Sequence, residues 1–149
     1  MNAEAMQQLI IKDMQLTPYI MFNGNCEEAL KFYIKTFNGE IKNLMRYEGS
    51  PVEQFSKDKQ KVLHSHFSAK GLLFMAADSG EGGPQAVKDG MVHLSINFND
   101  MARQEKVFNA LSEGGKVNMP LQDTFWGAKF GMLTDKFGVN WMFNCEMKK

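Results

Sequence analysis

A stretch of this chain recurs within it, and that recurrence limits the fold more than any other feature. Ile20, Phe22, Asn23, Phe32 and Gly39 reappear 76 residues later as Ile96, Phe98, Asn99, Phe108 and Gly115, with Ile41 matched by Val117 and no gap. A second match, at an offset of 67, aligns Gly71-Leu72-Leu73-Phe74-Met75 with Gly138-Val139-Asn140-Trp141-Met142. Two copies of one unit thus share 149 residues and 16.9 kDa, a size at which a single domain buries roughly 70% of its unfolded surface. The boundaries expected are an N-terminal extension over 1–15 and one domain over 16–149, with module one at 16–78, a linker at 79–91 and module two at 92–146.

Each copy opens on an alternating run, Thr17 to Phe22 and Val92 to Phe98, the pattern of a half-buried strand. Asn25-Cys26-Glu27-Glu28 then reads as a capping box, with Asn25 accepting from first-turn amides and Glu28 reaching back. Ala29, Phe32, Tyr33 and Phe37 keep an apolar stripe at helical spacing up to the left-handed stop Asn38-Gly39, predicting a helix over Cys26 to Phe37. In the second copy Asp100 is the cap, Met101, Val107, Phe108 and Leu111 the stripe, and Gly114-Gly115 the stop, predicting a helix over Met101 to Glu113. Three further strands follow each helix: Glu40 to Tyr47, Val62 to Ala69 and Leu72 to Ala77, then Lys116 to Gln122, Ala128 to Thr134 and Val139 to Asn144. The class is α+β, built as two βαβββ modules.

One face of each small sheet lies under its helix, so the two halves must oppose their open faces around a pocket or expose apolar surface. Strand parity places Ile20, Phe22, Ile96 and Phe98 under the helices, together with Trp141 in register with Phe74. The complementary set, Thr17, Tyr19, Met21, His93, Ser95 and Asn97, faces the cavity with Met75 and Met142. Twelve Met and twelve Phe suit an irregular core and an adaptable pocket alike.

Lysine plus arginine (17) equal aspartate plus glutamate (17), with no block of like charge, so neither a nucleic-acid nor a membrane partner is expected. No apolar run approaches the roughly 18 residues of a bilayer span, and Met1 to Leu16 lacks the pattern of a secretory signal. A cytoplasmic location is expected, and Cys26 and Cys145, which form no CxxC pair, are expected as reduced thiols.

The run Pro18-Tyr19-Ile20-Met21-Phe22-Asn23-Gly24-Asn25-Cys26-Glu27-Glu28-Ala29, and the stretches Met119 to Gly127 and Gly131 to Trp141, resemble the PhnB-like branch of the glyoxalase, bleomycin-resistance and extradiol-dioxygenase superfamily, the vicinal oxygen chelate proteins. The resemblance runs from Leu16 to Cys145. It implies the glyoxalase-like fold, with a pocket enclosed by modules cooperating in a domain-swapped type of homodimer. Some members carry a demethylubiquinone methyltransferase label, which is not carried over because the sequence has no glycine-rich nucleotide loop.

Metal-dependent members hold a divalent ion with ligands on the first and last strands of each module, positions matched here by about Thr17, Met75, His93 and Met142. Only His93 is a usual ligand, so no metal and no cofactor are expected. His64 and His66 share a strand face; if it points inward, His66 and His93 together would bind a metal or act as acid and base, whereas isolated strand histidines are ordinarily packing or partly exposed groups. Phe125 and Trp126 cannot both face one core from a strand, which assigns one to a cavity mouth or a dimer interface. Asp135-Lys136-Phe137-Gly138 reads as a structural turn. Cys26, in the first helical turn, is open to a lowered pKa from the helix dipole, but with no base in view it reads as an inert thiol.

The function expected is small-molecule binding without the usual divalent metal, by a pocket of Tyr19, Met21, His66, Met75, His93, Asn97, Gln122, Phe125, Trp126 and Met142. Two alternatives stay open. One is a lyase, isomerase or dioxygenase-type enzyme with a non-standard metal or histidine acid–base site; the other is a structural dimer module.

Overall fold

The computed structural model describes residues 14–80 and 90–147; expectations that fall on 1–13 and 81–89 lie outside the described residues. The elements are β1 (Tyr19–Phe22), α1 (Cys26–Phe37), β2 (Glu40–Arg46), β3 (Val62–Ala69), β4 (Leu72–Asp78), β5 (Leu94–Phe98), α2 (Met101–Ser112), β6 (Lys116–Asp123), β7 (Ala128–Thr134) and β8 (Asn140–Glu146), with a short 3-10 turn at Glu53–Phe55. They form two sheets of four strands, ordered β1-β4-β3-β2 and β5-β8-β7-β6. In each sheet the first strand runs parallel to the last, and the other pairings are antiparallel. Thr17 precedes β1 and both Val92 and His93 precede β5, so the opening strands are shorter than the alternation predicts.

The helices start by different means. Asp100 accepts from the Ala102 and Arg103 amides at 2.9 and 3.4 Å and caps α2 as expected. Asn25 makes no side-chain cap bond. Its place is taken by Asp78, at the end of β4, whose Oδ1 accepts from the Gly24 and Cys26 amides at 3.0 and 2.9 Å while Oδ2 accepts from the Val62 amide at 3.0 Å. A buried carboxylate at a helix N-terminus also opposes the positive end of the helix dipole, so one side chain caps α1 and pins β3 to it.

The stops use the repeated glycines differently from a simple left-handed turn. Asn38 itself takes the left-handed conformation at φ 56°. Gly39 and Gly115, equivalent in the repeat, are close-approach residues: a Cβ on Gly39 would strike the Phe67 ring and the Ser68 carbonyl, and one on Gly115 the Thr134 carbonyl.

Parity in the strands follows the alternation. Phe22, Phe67, Phe74, Leu133, Trp141 and Phe143 are buried under the helices, with Ile20, Ile96 and Phe98 packed against them. The modules join through these helix-covered sides in one continuous core. Tyr33 on α1 meets Trp141 of β8 edge-on at 5.9 Å, and Phe22 and Phe32 meet Phe137 of the β7–β8 turn at 6.3 and 5.7 Å. Asp135 is the polar centre of that joint: its Oδ2 accepts from the Tyr33 hydroxyl at 2.5 Å and from Trp141 Nε1 at 2.9 Å, and its Oδ1 from the Phe137 and Val139 amides at 2.9 and 3.0 Å. The turn expected at Asp135–Gly138 is present, with Gly138 at φ 92°, and its first residue also binds the two modules together.

These contacts give a graded set of stabilities. Asp135→Ala leaves a buried phenol and indole without an acceptor and is expected to cost about 3 kcal/mol. Asp100→Ala should cost about 1 kcal/mol, and Asn25→Ala less than about 0.5 kcal/mol because it holds no cap bond. Urea unfolding of the three variants measures this order, and an Asn25→Ala loss equal to that of Asp100→Ala would refute the remote cap.

Candidate functional site

Because helices cover one side of each sheet, the side chains on the other parity stand on uncovered faces. In a single chain these faces stay open: Tyr19, Met21, Met45 and Leu73 are 41 to 50% exposed, and among the described residues no hydrogen bond or ring contact joins one uncovered face to the other. The pocket expected between opposed faces is therefore not closed by one chain.

The first sheet carries a connected polar row on its uncovered face. Tyr19 of β1 lies beside Met75 of β4, which lies beside His66 of β3, so the strand order itself sets phenol, thioether and imidazole side by side. The Tyr19 hydroxyl is 2.8 Å from His64 Nδ1, His64 Nε2 is 2.9 Å from His66 Nε2, and His66 Nδ1 is 3.1 Å from Asn43 Nδ2. The two imidazoles meet edge to face at 4.8 Å. Asn43 reaches them because β2 breaks register between Lys42 and Met45, where Asn43 takes φ 54°. Partial burial pushes the Tyr19 phenol above its ordinary pKa, which keeps it protonated and able to donate at neutral pH.

The second sheet has a plainer uncovered face. Met142 lies between Ser95 of β5 and Met132 of β7, and the Asn144 amide donates to Asn97 Oδ1 at 3.3 Å. The residues paired in register with Met75 and Met142 on the opening strands are Tyr19 and Ser95, each two residues along the chain from Thr17 and His93.

His93 lines a cleft of about 440 Å³ with Pro18, Leu73, Phe74, Ser95 and Asn97, and its Nδ1 is buried without a hydrogen-bond partner. The imidazole of His66 is engaged by His64 and Asn43, and His66 does not line the cleft that holds His93. A second cleft, of about 650 Å³, is lined by Tyr19, Met21, Met91, Val92 and Phe137. Gln122 is exposed at the end of β6. Phe125 and Trp126 form the β6–β7 turn, 97% and 55% exposed, with Trp126 edge-on to Phe130. Of the ten residues expected to share one pocket, Tyr19 and His66 belong to the connected row and Met75 stands between them; His64 and Asn43 belong to the row and were not among the ten. The spacing of His64 and His66 signalled a shared face, whereas Asn43 is reached only through a bulge that no periodicity marks.

Two sheets ordered 1-4-3-2, each with a helix after its first strand, define the glyoxalase-like fold of the vicinal oxygen chelate superfamily. A family model described as 3-demethylubiquinone-9 3-methyltransferase matches residues 14–143, and the chain belongs to this PhnB-like family. Protein PA1353 from Pseudomonas aeruginosa is 39% identical, with a TM-score of 0.80 over 91% of this chain and 100% of that one. A putative 3-demethylubiquinone-9 3-methyltransferase, PhnB protein, from Bacillus cereus is 30% identical, with a TM-score of 0.74 over 89% and 99%. Protein YjdN of Escherichia coli (strain K12) is 29% identical over 88% of this chain and 95% of its own. The fold extends to the fosfomycin resistance protein FosX from Listeria monocytogenes, 11% identical with a TM-score of 0.61 over 89% of this chain and 93% of that one.

Cys26 lies under this face rather than on it. Burial, with the Asp78 carboxylate beside it, pushes the thiol up to about 12, opposite in direction to a helix-dipole effect. Tyr33, buried against Asp135, is raised well above 10.0. Both groups hold their protons more tightly folded than unfolded, so stability is fully present below the unfolded thiol value near 9.0 and falls as the pH climbs from there toward about 12. Urea titrations should give flat unfolding free energies up to about pH 9 and a decline above it. Native Cys26 should resist iodoacetamide at neutral pH and react once the chain is unfolded.

Proposed function

We propose that this protein binds a small, largely apolar molecule on the uncovered faces of its sheets, in a homodimer that closes those faces, without the divalent ion of the superfamily. The observation that carries the reading is the Tyr19–His64–His66–Asn43 row, a set of linked polar groups on an open face among Met21, Leu73 and Met75. Ligand sites combine an apolar lining with a few positioned polar groups in this manner. The exposed Phe125 and Trp126 at a turn, and His93 Nδ1 without a partner in its cleft, support a surface that is completed by something further.

The shared ion does not fit the residues at its positions. The positions matched by the resemblance, about Thr17, Met75, His93 and Met142, offer a hydroxyl, one imidazole and two thioethers, and thioethers suit soft ions rather than a divalent ion that seeks oxygen and nitrogen donors. Among the described residues no group of three or more His, Cys, Asp or Glu is clustered for a metal. Methyl transfer, the activity named for the family model, finds little support at the β1–α1 turn. The Gly24 and Cys26 amides, which would face an anionic ligand at that helix N-terminus, are occupied by Asp78. Among the described residues no helix is long and apolar enough to cross a membrane, and a cytoplasmic location is part of this proposal.

Sedimentation of the untagged protein at micromolar concentration is expected to give a dimer; a species of 16.9 kDa alone would overturn the closed-face reading. Elemental analysis is expected to find no stoichiometric Zn, Ni, Fe or Mn. One metal per chain, lost in His93→Ala, would replace binding without chelation by the enzyme reading.

A further inference from the structure

The row on the uncovered face has a direction. Asn43 presents its amide nitrogen, which only donates, to His66 Nδ1 at 3.1 Å. His66 Nδ1 must then be the bare nitrogen, and neutral His66 carries its proton on Nε2. That proton points at His64 Nε2, 2.9 Å away, which must accept, so neutral His64 carries its own proton on Nδ1. His64 Nδ1 in turn donates to the Tyr19 oxygen at 2.8 Å. Each step fixes the next, and the chain ends on a phenol whose oxygen is already an acceptor and whose proton has no partner within the row.

We infer that Tyr19 is the terminal donor of a one-way hydrogen-bond chain, Asn43 to His66 to His64 to Tyr19, and that it presents its proton to a carbonyl or carboxylate oxygen on an otherwise apolar ligand. The inference rests on the small-molecule reading above. Acceptor chemistry follows from polarity: a ligand that offers only donor groups finds no free acceptor at the end of this chain. The apolar body follows from the neighbours, since Met75 stands between Tyr19 and His66 and Met21 and Leu73 occupy the same face. Because each bond polarises the next, the imidazole donating into the phenol oxygen strengthens the hydroxyl as a donor.

The charged groups facing the row are few. Lys42 of β2 is paired in register with His66, and Glu40 of the same strand is held 3.2 Å from Lys42; β1 contributes Tyr19, while Leu73, Met75 and Ala77 of β4 contribute none. Among the described strand residues of this face, Glu40 is the one carboxylate placed to compete with a ligand's acceptor.

Two measurements on the full chain test the inference. Long-range proton–nitrogen spectra of the 15N-labelled protein at neutral pH report imidazole tautomers, and the expected pattern is Nδ1–H for His64 and Nε2–H for His66. The reverse pattern would overturn the direction. Asn43→Asp replaces the first donor with an acceptor and is expected to reverse both tautomers; unchanged tautomers would show that Asn43 does not set them.

The second measurement uses acetophenone and α-methylstyrene, which share a shape but differ in having C=O or C=CH2. Acetophenone is expected to bind more tightly, and Tyr19→Phe to weaken it by about threefold to tenfold while leaving α-methylstyrene unchanged. Equal losses for both probes would overturn Tyr19 as the donor. Failure of both probes to perturb Tyr19 and its neighbours would overturn the small-molecule reading itself, while the tautomers would still decide the direction of the chain.

Discussion

The buried carboxylate of Asp135 is the interaction on which the two-module architecture turns. A charge removed from water persists only where donors replace its hydration, and here four do: a phenol from α1, an indole from β8 and two amides of its own turn. Tyr33 lies 102 residues from Asp135, so the bond can form only when both modules are folded and docked. It gives the apolar joint of Phe22, Phe32, Phe37, Phe137 and Trp141 a fixed register, which dispersion between aromatic rings alone leaves loose.

Asp78 serves module one in a related way. Its carboxylate caps α1 from the end of β4 and holds the Val62 amide at the head of β3, so helix and sheet close on one side chain. The equivalent position in module two is Cys145, and there the helix is capped locally by Asp100. The duplicated halves therefore keep one topology while solving the same helix-start problem by different residues, which is why the repeat in sequence does not extend to the residues that cap the helix starts.

Docking through the helix-covered sides leaves two sheet faces uncovered. On the first, strand order brings Tyr19, Met75 and His66 into line, and a bulge in β2 adds Asn43. The second carries Met142, Ser95, Asn97 and Asn144 without a comparable chain of imidazoles. The duplication thus produces two scaffolds of equal shape and unequal chemistry.

What the sequence determined by itself was periodic: the order of strands and helices, the extent of α1, β3 and β7, and which residues of each strand lie under a helix. Those follow from spacing of two or about three and a half residues, and the repeat doubled every signal. Tyr19, Met75 and His66 were legible as sharing a face for the same reason. Tertiary structure alone decided which face was joined to which, that Asp78 and not Asn25 caps α1, that His93 lines a cleft that His66 does not reach, and that His64 and Asn43 complete the polar row. Each of these depends on partners brought together from 23 to 102 residues apart, or on a backbone that leaves its regular path at Asn43. Periodicity reports the direction in which a side chain points; which distant group waits there depends on how the elements close on one another.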